Sequence, residues 1–107
     1  MTQQGRLTAW VAEIGRIHAA GGHHAEGRRI LRELGEGENR ASVRPANLAF
    51  IAIALGETAR AFDELERAAR QRSPVMLWAN VDPRFDPIRN DQRFRDHLVR
   101  VGLPFNP

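Results

Sequence analysis

The chain has no cysteine and no tyrosine among its 107 residues, and all 16 of its basic residues are arginine. Without cysteine there are no disulfides and no thiolate metal ligands, and the redox compartment stays open. The longest apolar run, Leu48 to Leu55, falls far short of the ~18 to 20 residues that a membrane span needs. Residues Met1 to Arg6 are polar where a signal peptide would carry an apolar core, so none is expected and the cytoplasm is the default compartment. The pI of about 11.2 suggests a polyanion partner, but the net charge is only +3. With no lysine or tyrosine to buffer the titration, a small arginine excess carries the pI high. The field that nucleic acid feels follows charge and not pI, and here it is weak.

Hydrophobic residues make up 42% and charged residues 27%, the composition of a folded globule and not of a disordered segment. Alanine, leucine, arginine and glutamate dominate, while β-branched and aromatic runs are scarce, which favours helix throughout. Leu7, Trp10, Val11, Ile14, Ile17 and His18 form one stripe of a first helix that ends at Gly21-Gly22. A second helix is expected from about His24 to Leu34, before the break Gly35-Glu36-Gly37-Glu38-Asn39. The third, from about Arg44 to Leu55 with Ser42 as its cap, is apolar all round and must be covered on several sides. Gly56 stops it, and a fourth helix capped by Thr58 runs to about Arg72, with Ala61, Phe62, Leu65, Ala68 and Ala69 inward.

Self-comparison sharpens this pattern. Setting Gly22 on Gly56 gives an offset of 34 residues, at which Ile14 meets Leu48, Gly15 meets Ala49 and Gly27 meets Ala61. At the same offset Leu31 meets Leu65, and Leu34 meets Ala68. Small residues meet small ones where helices must approach, and large apolar ones meet at packing positions, so one helix-turn-helix unit is used twice. A third copy fails, because Leu48 maps to Asp82 and Gly56 to Asn90. Two Asp-Pro pairs follow instead (Asp82-Pro83, Asp86-Pro87), each suited to a cap followed by proline at the first helical position. A last helix from about Asp91 to Val101 would bury Phe94, Leu98 and Val101.

The unit resembles the tetratricopeptide repeat (TPR). Its second copy reads Leu48-Ala49, Gly56, Ala61, Leu65, Ala68 and Pro74, and its first reads Ile14-Gly15, Gly22, Gly27, Leu31 and Leu34. His18 and Ala52 depart from it, standing where an aromatic is common. The tail is similar to the closing segment of TPR arrays at the C-termini of bacterial multidomain regulators. The resemblance implies an all-α domain of stacked antiparallel hairpins in a short right-handed solenoid. Repeat one would span about residues 7–37, repeat two about 42–74 and a helical cap about 75–104.

The resemblance further implies a non-enzymatic scaffold that binds protein surfaces, and no cofactor, metal, nucleic acid or membrane partner is expected. Helix A faces would line a concave surface, with Arg16, Asn47, Phe50 and Ile53 upon it. Phe50 and Ile53 either hold a partner there or lie under the C-terminal segment. The clamp by which some TPR domains hold acidic chaperone tails is matched only at Asn47, since Ala12 and Arg16 occupy its other positions. Two units are fewer than a solenoid normally needs, and Leu7, Trp10 and Val11 would be left without an upstream cap. The chain is then a binding module, a self-assembler stacking head to tail into rings, filaments or tubes, or an accessory segment of a larger regulator. Self-association is expected in any case.

Other chemistry finds little support. Adjacent His23 and His24 point about 100° apart on a helix and cannot share one ion, and His18 and His97 lie elsewhere in the sequence. No nucleophile–base pair and no phosphate loop sits in a recognisable motif. The tail arginines alternate with Asp82, Asp86, Asp91 and Asp96, a pattern that makes weak surface ion pairs.

Overall fold

Glycines at the chain reversals set the architecture. The computed structural model describes residues 3–37, 40–74, 79, 81–100 and 102, all in helices or the turns joining them. The helices are α1 (Gln3–Ala20), α2 (His24–Glu36), α3 (Pro45–Leu55), α4 (Thr58–Arg70) and α5 (Gln92–Arg100). Short 3-10 segments lie at Arg40–Ser42 and Pro83–Ile88, and no strand occurs among the described residues.

α1 ends with Gly22 at φ +91° and α3 with Gly56 at φ +78°, the left-handed conformation that glycine adopts without steric cost. The terminal hydrogen bonds repeat with the glycines. His23 N–H donates to the His18 carbonyl (2.8 Å) and Gly22 N–H to that of Ala19 (3.2 Å). Thirty-four residues later Glu57 N–H donates to Ala52 (2.9 Å) and Gly56 N–H to Ile53 (3.1 Å). α4 closes in the same way, with Ser73 N–H on Ala68 and Arg72 N–H on Ala69, but there the left-handed residue is Arg72 at φ +54°.

α1 packs on α2 and α3 on α4, while α3 also lies against both α1 and α2. Every residue of α3 except Asn47 and Ala54 is buried. The two helices of the first hairpin meet through small residues. A Cβ on Gly15 would stand 2.7 Å from Ile30 Cγ2, and one on Gly27 would stand 3.0 Å from Ala19 Cβ. Ala49 and Ala61, their partners at the repeat offset, are fully buried. The mid-helix Gly27 thus trades propensity for close approach.

Several expectations are corrected. Ile14, expected at a packing position, faces outward with Leu7, Trp10, Val11 and Ile17, and α1 buries Thr8, Ala12, Gly15 and Ala19 instead. α1 sits so close to α2 and α3 that only small side chains fit between them. Ser42 does not cap α3: it lies in the 3-10 segment, and extended Arg44 precedes the helix. Thr58 is the first residue of α4, preceded by Glu57, and its hydroxyl donates to the Gly56 carbonyl at 3.4 Å. α2 continues to Glu36 because Gly35 stays helical, leaving room where the Arg60 guanidinium crosses it. The expected helical start at residues 75–78, and Val101 at the end of the last helix, lie outside the described residues.

Two substitutions test this packing. Gly15→Ala should gain about 1 kcal/mol of helix propensity but lose about 1–3 kcal/mol by overpacking Ile30, lowering stability in urea melts. Unchanged stability would mean that the helices can separate. Arg72→Gly should raise Tm by about 2–5 °C, since the left-handed penalty of ~1–2 kcal/mol exceeds the entropy cost of glycine. A lower Tm would contradict the assigned φ.

Candidate functional site

The expected concave face is not an open groove. Phe50 and Ile53 are each 3% exposed, because the segment Pro83–Ile88 folds across α3. The side chain of Asp82 accepts from Arg84 N–H at 2.9 Å and caps that segment, with Pro83 at its first position. Asp91 caps α5 in the same manner, accepting from Arg93 N–H at 2.8 Å. These turns bring Phe85 edge-on to Phe50 (5.1 Å between centroids) and stacked on Phe94 (5.4 Å). The Arg84 guanidinium covers the other contact on Phe50, 3.9 Å from its centroid. Of the two roles open to Phe50 and Ile53, the structure gives them burial beneath the C-terminal segment.

Arg16 is engaged by Glu13, whose carboxylate accepts from Nε (3.0 and 3.1 Å) and Nη2 (2.5 Å). The pairing holds the Glu13 carboxyl below the usual carboxylate range. Asn47 is half-buried. What remains of the concavity is a shallow pocket of about 270 Å³ bordered by Arg16, Phe50, Ile53, Pro83 and Arg84. It lies below the ~300–1,000 Å³ of ordinary ligand pockets, and both its guanidiniums already have carboxylate partners.

The cap is also pinned from α5. Buried His97 donates from Nδ1 to Glu66 Oε1 at 3.1 Å, and Arg100 pairs with the same oxygen. His97 first and Arg100 after it hold the Glu66 carboxyl below its ordinary value. On the far side of the cap Arg89 ties the loop together, donating to the carbonyls of Ala79 and Asp82 at 2.9 Å each. The tail arginines Arg84, Arg89 and Arg93 pair with Asp82, Asp86 and Asp91. His18 and His23 meet edge-on at 5.7 Å, and no group of three or more acidic or histidine side chains among the described residues could hold a metal ion.

The opposite end of the molecule is bare. Trp10 is 71% exposed, Leu7 59%, Ile17 56%, Ile14 46% and Val11 37%, all along the outer side of α1. Comparison at the 34-residue offset shows a difference in burial. Ile14 corresponds to Leu48 and Ile17 to Ile51, which are 2% and 0% exposed, and Val11 corresponds to buried Pro45. Ile51 reaches toward Gly15 of the preceding hairpin, its Cδ1 3.4 Å from where a Cβ would stand. The bare side of α1 is therefore the side that α3 buries against the unit before it. Leu7, Trp10 and Val11 read from the sequence as an uncovered end, whereas Ile14 read as a packing position. The usable signal was the run of small residues Thr8, Ala12, Gly15 and Ala19 on the other side of α1.

No family model, curated protein or solved structure matches the chain. No helix among the described residues is long and apolar enough to cross a membrane.

The Glu66 pairing has a sign that can be checked. A carboxyl whose folded-state pKa is depressed adds stability above its unfolded value, and that stability is lost as pH falls through the folded value. Glu66→Gln should therefore be less stable than the parent at neutral pH, with the gap closing below the ordinary glutamate range. A gap independent of pH would show that the charge on Glu66 plays no part.

Proposed function

We propose that the chain is a non-catalytic, TPR-type helical-repeat module that serves as a scaffold and binds another helical protein surface through the outer side of α1. The carrying observation is the mismatch between equivalent positions: Ile14 and Ile17 are open where Leu48 and Ile51 are buried. A hairpin repeat buries its apolar side by apposition to a neighbour, so an end that lacks one is an acceptor for helices. The doubled hydrogen-bonded helix ends at Gly22 and Gly56 support the repeat reading, as does the packing of α3 on both α1 and α2. The small-residue pairs Gly15/Ala49 and Gly27/Ala61 support it as well.

The interaction surface is thus the end of the stack and not its concave side. Stacking head to tail into rings, filaments or tubes is disfavoured, because the surface that would receive the next copy is occupied. Phe85, Phe94 and Leu98 already lie fully buried within the core that includes Ala61 and Leu65 of hairpin two. The paired tail arginines argue against a nucleic-acid groove, which would present unpaired arginine beside stacking aromatics.

The test is a lengthened chain. Inserting a second copy of residues 7–40 before Leu7 supplies a hairpin in the right register to cover Val11, Ile14 and Ile17. The expected result is one cooperative unfolding transition at a Tm several degrees higher. A separate low-temperature transition, or no gain in Tm, would show that this side of α1 does not accept a helical hairpin.

A further inference from the structure

We infer that the partner covering α1 is a second copy of this chain, seated head to head across a two-fold axis with the two α1 helices antiparallel. The inference rests on the reading of α1 as a helix-accepting surface, and it adds the identity of the occupant. Repeat stacking alone does not account for everything on that surface. Trp10 corresponds to Arg44, which is solvent-exposed in hairpin two, so a preceding hairpin would leave this position at its margin. Yet α1 places its largest apolar side chain there, 71% exposed.

The spacing suggests what Trp10 meets. Leu7, Trp10, Ile14 and Ile17 follow one another at three, four and three residues, a sequence of steps that reads the same in both directions. Steps of three and four also mark the seam of paired helices. Two antiparallel copies related about the level of Ala12 set Leu7 opposite the other copy's Ile17, and Trp10 opposite its Ile14. Each layer is then one apolar side chain on another, and each contact occurs twice, as a two-fold interface requires.

The other end of the molecule cannot take this role. The segment Pro83–Ile88 and α5 close it, leaving Val81 and Val99 as its exposed large apolar residues among those described. With one open end among the described residues, association stops at two. The apolar side chains of the two stripes together offer on the order of 1,000 Å², the lower bound of a specific interface, so the dimer should be reversible and micromolar.

Sedimentation velocity of the intact chain over a range of micromolar concentrations tests this. The expected result is a monomer–dimer equilibrium ending at twice the 12.1 kDa chain mass. Trp10→Glu should remain monomeric throughout with unchanged circular dichroism and Tm, because its side chain is outside the core. Val99→Glu, at the closed end, should dimerise like the parent. Since the chain has no cysteine, Trp10→Cys/Ile14→Cys should oxidise to a covalent dimer. Species that keep growing beyond two copies would overturn the inference, as would a dimer indifferent to Trp10→Glu. A parent chain that stays monomeric would overturn it too; if the lengthened chain is nonetheless stabilised, the helix-accepting surface stands and its occupant is a different protein.

Discussion

The whole molecule is organised around the need to cover α3. Its eleven residues, Pro45–Leu55, carry no charged side chain, and only Asn47 and Ala54 escape full burial. A helix apolar on all sides cannot be satisfied by one neighbour. α1 and α2 take one side, α4 a second, and the Pro83–Ile88 segment a third. Each of these neighbours needs cover in turn, and the chain provides it unevenly.

On the C-terminal side α3 is covered. The contacts Phe50–Phe85 and Phe85–Phe94 carry burial outward from α3 to α5. Asp82 and Asp91 satisfy the backbone of the turns they cap, while Glu66 ties His97 and Arg100 to α4. On the N-terminal side no equivalent segment lies among the described residues, and the outer stripe of α1 meets solvent. A radius of gyration of 13.2 Å is that expected of a compact domain of this length. That asymmetry, one finished end and one unfinished, is the basis of the proposed function.

The fold was legible where the signal lay in local chemistry. Gly22 and Gly56 marked the helix ends because few other residues adopt a positive φ cheaply, and the all-apolar Leu48 to Leu55 announced a central helix. The Asp82-Pro83 pair announced a capped turn, which the geometry bears out, whereas Asp86-Pro87, expected to start a helix in the same way, lies inside that 3-10 segment. What could not be read was the orientation of α1. An apolar stripe is ordinarily the inward side of a helix, and while Leu7, Trp10 and Val11 read as an end without a cap, Ile14 read as a packing position. Only the closeness of α1 to Ile30 and Ile51, a property of the assembled hairpins, shows that the small side belongs inside. The covering of Phe50 was likewise undecided, since the partner residue Phe85 lies 35 positions away with no periodic link to it.

The six isoleucines report on every part of this arrangement. Ile14 and Ile17 lie on the open side of α1, while Ile30, Ile51, Ile53 and Ile88 are buried at 3% exposure or less. Methyl NMR of the monomeric Trp10→Glu chain with a soluble paramagnetic relaxation agent measures them together. The expected spectrum has two strongly broadened isoleucine resonances and four protected ones. Protection of Ile14 and Ile17 in the monomer, or broadening of Ile51 or Ile53, would contradict the claim that the molecule is closed at one end and open at the other.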